Sequence, residues 1–98
     1  MYTLKATALI AALGLLIATT PVIAMTGLEF LQAGDDANAK AVIMEPIVIK
    51  FISQGYRHVP DWAYLAQFTR ELILEKGYRD KDIVEIAEEA AITHGMTK

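Results

Sequence analysis

The uncharged run ATALIAALGLLIA, residues 6–18, constrains this chain more than any other feature, because it decides how much of the sequence is left to fold. Lys5 precedes it, and Thr19, Thr20 and Pro21 break it. A short basic region followed by an apolar core of this length is the pattern of a secretory signal. Val22-Ile23-Ala24 places compact residues where a signal peptidase reads, so cleavage is expected after Ala24. The alternative is an uncleaved membrane anchor. A spanning helix needs about 20 predominantly apolar residues, whereas the uninterrupted run here has 13 and Pro21 follows closely. The sequence therefore predicts a signal peptide over residues 1–24, a single domain over 25–98 and a periplasmic location.

Removal of residues 1–24 from the 98 leaves 74, with eight basic and twelve acidic side chains and a net charge of −4. Nucleic acid is a poor partner for such a chain, since its binding needs a basic footprint. A domain of this length buries only about 60% of the surface its unfolded chain exposes, and many exported domains add disulfides to compensate. This chain has no cysteine. Its stability must come from helix packing, and thiol catalysis, redox function and cysteine-based zinc sites are excluded.

Helix signals then divide the domain. Thr26-Gly27-Leu28-Glu29 has the Ser/Thr-x-x-Glu form in which hydroxyl and carboxylate each satisfy an orphan amide; the helix it opens should end near Ala33, with Gly34 as its stop. Asp35, Asp36 and Asn38 offer acceptors for the next start. The segment AVIMEPIVIKFISQGY, residues 41–56, is rich in residues that suit strands, yet its length and the Gly55 stop suit a helix. As a helix it is apolar on nearly every side and belongs in the centre of a bundle. Pro46 within it implies a kink, or a helix that starts afresh at Glu45.

A third helix should open at His58-Val59-Pro60-Asp61, with Pro60 near its first position and Asp61 in its first turn. Trp62, Leu65, Phe68 and Leu72, joined by Ala66 and Ile73, make its apolar stripe, and Gly77 ends it. Asp80 is expected to cap a fourth helix. There Ile83, Ile86, Ala87, Ala90 and Ala91 form the packed side, Glu85, Glu88 and Glu89 the wet side, and Gly95 the stop. The predicted architecture is an all-α bundle of about four helices.

Catalytic chemistry has little to stand on. His94 lies in a last helical turn, where the helix dipole favours a cation, and His58 lies in a loop; neither comes with a Ser-His-Asp or metal-ligand spacing. Asp80-x-Asp82-x-x-Glu85 lacks the glycine and the remaining ligands of a calcium loop. Phosphate loops, nucleophile elbows and metalloprotease motifs are missing. The expectation is a non-enzymatic protein with neither metal nor cofactor.

What remains is a surface that binds another protein. Tyr64 and Leu74 do not fit the packed stripes, and they share a helical line with Gln67 and Glu71. Tyr56, Arg57 and His58 in the preceding loop extend that line with residue types favoured as interface anchors. Tyr56, Arg57, His58 and Tyr64 are accordingly the candidate partner-binding residues.

The layout resembles the small periplasmic immunity proteins that protect bacteria from type VI secretion amidases. The resemblance rests on Gly27-Leu28-Glu29-Phe30-Leu31 at the domain start, Gly55-Tyr56 after a helix, Pro60 and Gln67 at and within the next, and Ala87, Ala90 and Ala91 in an alanine-rich last helix. It spans most of the domain, although that family usually carries paired cysteines and this chain has none. The resemblance implies an exported inhibitor or immunity factor that occludes a peptidoglycan-cleaving enzyme without doing chemistry. The alternative of a different class is a small structural subunit of an envelope complex, anchored in the membrane by residues 6–24. A homodimer is compatible with either.

Overall fold

The computed structural model describes residues 24–98, so all but the last residue of the expected signal peptide lies outside the described residues. Four helices follow in order: α1 (Gly27–Gln32), α2 (Ala37–Ser53), α3 (Trp62–Lys76) and α4 (Ile83–Thr93). The all-α bundle expected from periodicity is the fold observed, and no strand occurs among the described residues.

Each start is set by a side-chain acceptor. Thr26 and Glu29 complete the capping box of α1, Asp36 accepts from the Asn38 amide at 3.1 Å, and Asp61 accepts from Ala63 at 3.1 Å and Tyr64 at 3.2 Å. Asp61 is thus the cap of α3 and Pro60 precedes it, so both lie just outside the helix and not in its first turn as the sequence pattern implies. The start of α4 is a larger correction: Asp82, not Asp80, is the cap, with its carboxylate accepting from Val84 at 3.0 Å. Both aspartates have the right chemistry. The choice falls to Asp82 because residues 78–82 are held against the domain's first residues: Ile83 donates to the Met25 carbonyl at 2.9 Å and Gly27 to that of Lys81 at 3.0 Å.

Residues 37–53 form one helix through Pro46, which settles the helix or strand ambiguity and excludes a fresh start at Glu45. The bond Pro46 cannot donate would run to the carbonyl of Val42. Val42 is 60% exposed, so the interruption falls on the solvent side of the helix, where its cost is smallest. Nor does α2 sit at the centre of the bundle. It packs chiefly on α3, which is itself the element shared with α4 and α1. Ile43, Met44, Ile47 and Phe51 are buried, while Val42, Ile49 and Ile52 remain exposed on the opposite side.

The core joins Phe30 of α1 to those α2 residues, to Leu65, Ala66, Leu72 and Ile73 of α3, and to Ile83, Ile86, Ala87, Ala90 and Ala91 of α4. Ala87, Ala90 and Ala91 let α3 and α4 approach closely, since interaxial distance follows the side chains at the contact. Met96, beyond the last helix, is also fully buried. It brings residues 94–98 back onto the body of the protein, where Arg57 and Thr97 exchange backbone hydrogen bonds as an isolated antiparallel bridge.

Candidate functional site

The four candidate residues fall on two neighbouring elements of the chain, the loop after α2 and the first turn of α3. Tyr56 is half-buried and packs edge-on against Phe51, ring centroids 5.7 Å apart. The Lys98 ammonium lies 4.8 Å from its ring centroid. Desolvation, and then the Glu88 carboxylate nearby, push its phenol above the ordinary value of 10.0. Arg57 is exposed, its backbone pinned to Thr97. His58 is exposed at φ 58°, a left-handed conformation few non-glycine residues adopt. Tyr64 is 58% exposed and stacks on Phe68 at 6.1 Å.

Phe68 in turn lies face to face with the imidazole of His94, centroids 3.6 Å apart and planes within 4°. Tyr64, Phe68 and His94 therefore form one aromatic column across the α3–α4 seam. The C-terminal segment links both parts of the candidate set: Lys98 covers Tyr56, Thr97 pairs with Arg57, and His94 continues the Tyr64–Phe68 stack. Among the described residues no ring stacking joins Tyr64 to Tyr56 or His58. Lys98 escaped the sequence reading and His94 was read only as a last-turn residue favoured by the helix dipole, because nothing local marks either as a neighbour of the candidate set. Met96, an apolar residue past a glycine stop, was the available signal.

Leu74 is exposed at 63%, and between it and Tyr64 the Gln67 amide donates to Glu71 at 3.3 Å. The acidic face of α4 differs from its expected wet character. Glu88 and Glu89 are half-buried, and Glu89 accepts from the Tyr78 hydroxyl at 3.1 Å and pairs with Lys81 at 3.5 Å and Lys76 at 3.7 Å. This network fastens the α3–α4 connection to α4.

A depression of about 550 Å³ runs along Lys81, Glu85, Glu88, Glu89, Ile92 and Thr93, but it is wide open and largely charged. The more enclosed cleft, between α3 and α4 beside His94, holds only about 50 Å³, well below the roughly 300 Å³ at which small-molecule sites begin. No cluster of three metal-ligating side chains occurs among the described residues, and no helix described is long and apolar enough to cross a membrane. No protein-family model, curated protein or solved structure matches the chain.

Proposed function

We propose that this chain is an exported, non-enzymatic protein-binding domain that acts as an inhibitor or immunity factor against a cell-wall hydrolase in the periplasm. The observation that carries the reading is the aromatic column of Tyr64, Phe68 and His94, open to solvent at Tyr64 and His94, with the C-terminal segment after His94 reaching Tyr56 and Arg57. Tyrosine and arginine are enriched among the residues that dominate binding energy at interfaces, and tyrosine buries a large area while losing little conformational freedom. Here the rigidity comes from the Asp61 cap beneath Tyr64 and from the Arg57–Thr97 bridge.

The test is stoichiometric inhibition. Purified domain should slow a peptidoglycan amidase or lysozyme in a one-to-one titration, and Tyr64→Ala should weaken the effect at least tenfold with no change in helical content. Absence of binding to any wall-cleaving enzyme at micromolar concentration would refute the assignment. One observation favours a second reading, a structural subunit of an envelope complex: Val42, Ile49 and Ile52 form an uncovered apolar ridge on α2. That reading requires full-length protein in washed membranes, whereas the first requires a species beginning at Met25 in the periplasmic fraction.

A further inference from the structure

A helix that is apolar on nearly every side is normally covered on nearly every side. α2 has one main neighbour, α3. Ile43, Met44, Ile47 and Phe51 are buried, and the line Val42, Pro46, Ile49, Ser53 runs along the opposite side. Its steps of four, three and four residues keep one edge of a helix turned toward a partner helix. Val42 is 60% exposed and Ile49 49%, and Ile52, at 59%, widens the line on one flank. Ser53 makes no polar demand there, because its hydroxyl donates to the Lys50 carbonyl at 2.7 Å.

The flanking charges select the occupant. Glu45 and Lys50 border the line on opposite sides, and among the described residues neither enters an ion pair. They stand five residues apart, whereas side chains meet along one helix at three or four. With Pro46 and Ser53 as a positions and Val42 and Ile49 as d positions, Glu45 takes g and Lys50 the following e. Those are the two positions whose side chains meet across a parallel helix pair. One acidic and one basic flank at this spacing make the surface complementary to itself.

We propose that α2 pairs in parallel with α2 of a second copy of this chain, Val42 and Ile49 meeting their counterparts along the seam. Two-fold symmetry then makes the ion pair twice, Glu45 of each copy with the partner's Lys50. A hydrocarbon surface would leave both charges unpaired, and a partner helix of one charge sign would leave one of them so. The seam is short and both copies are acidic, so the contact supports a weak, concentration-dependent dimer. It uses none of Tyr56, Arg57, His58 and Tyr64, and stands or falls independently of what those residues bind.

The test is sedimentation equilibrium on the full sequence expressed and purified as the cell delivers it, from micromolar concentration upward. A monomer–dimer equilibrium is expected. Ile49→Glu should abolish it, while Ile92→Glu, the same change at an equally exposed isoleucine of α4, should leave it intact. Glu45→Lys should weaken the dimer about tenfold by opposing like charges at two places, and adding Lys50→Glu to the same chain should restore it. Unchanged helical circular dichroism verifies the fold of each variant. The chain has no cysteine of its own, so Ser53→Cys reads the orientation: a parallel pair brings the two copies of position 53 within disulfide reach. A mixture of Val42→Cys and Ser53→Cys chains that cross-links faster than Ser53→Cys alone would overturn the parallel arrangement. A chain that stays monomeric at millimolar concentration, a dimer that survives Ile49→Glu, or a charge exchange without rescue would each overturn the pairing. Binding of a monomer to lipid vesicles, lost in Ile49→Glu, would do the same and assign the ridge to a membrane.

Discussion

Replacing Gly27 with alanine separates local propensity from tertiary contact. Gly27 is the first residue of α1 and does not have a positive φ, so helix propensity alone predicts a gain of up to about 1 kcal/mol. The tertiary structure predicts the reverse. A Cβ at this position would stand 2.0 Å from the Tyr78 carbonyl oxygen and 3.0 Å from the Ile86 Cδ1, where ordinary contact begins near 3.4 Å. The methyl end of Ile86 can turn aside, but the Tyr78 carbonyl belongs to a backbone segment held by its neighbours. Moving it by more than 1 Å disturbs the bonds from Gly27 to Lys81 and from Leu28 to Arg79, both 3.0 Å. Each contributes about 1 kcal/mol, and overpacking adds roughly 1–3 kcal/mol. After the propensity gain is subtracted, Gly27→Ala should lose about 2–4 kcal/mol. Urea unfolding followed by the fluorescence of Trp62, the sole tryptophan, measures this directly. Gly77→Ala is the control: φ is 68° with nothing within 4 Å of the added carbon, so only the left-handed strain of about 1–2 kcal/mol applies. A Gly27→Ala variant as stable as the parent, or more so, would refute the placement of residues 78–82 against α1.

Thr69 is fully buried with no hydrogen-bond partner for its hydroxyl among the described residues; Thr69→Val keeps the shape, removes the stranded group and should raise stability by about 1 kcal/mol in the same assay. Asp82→Ala should cost about 1 kcal/mol through loss of the α4 cap, while Asp80→Ala should change the urea midpoint little, and equal losses would show the cap misassigned. Desolvation and Glu88 raise the Tyr56 pKa, so its neutral form is favoured in the folded state and its contribution is complete below the unfolded value of 10.0 and lost at higher pH. Phenolate absorbance should therefore report a tyrosine titrating above 10.0 that is missing from Tyr56→Phe, and that variant should lose less stability on the alkaline side.

Much of the fold was legible in the sequence, because it is written in local chemistry. Thr26 with Glu29, Asp36, and the glycines at 34, 55, 77 and 95 act through hydrogen bonds and backbone angles within a few residues of themselves, so their positions mark the helix ends whatever surrounds them. The stripes of α3 and α4 are equally local, and of their residues assigned to the packed side only Phe68 and Trp62 stay partly open. Tertiary contact decided the rest. Asp80 and Asp82 are equivalent as caps until the pairing of residues 78–82 with the domain's first residues selects one. The apolar surround of α2 suggested a central helix, yet α3 takes that place and one side of α2 stays uncovered, because periodicity says which faces can be buried and not how many neighbours arrive to bury them. The same holds for the candidate site. Tyr56 and Tyr64 stand out by residue type, but the aromatic column needs His94, which lies 26 residues beyond Phe68 in the chain and meets it only because the α3–α4 pair folds back on itself.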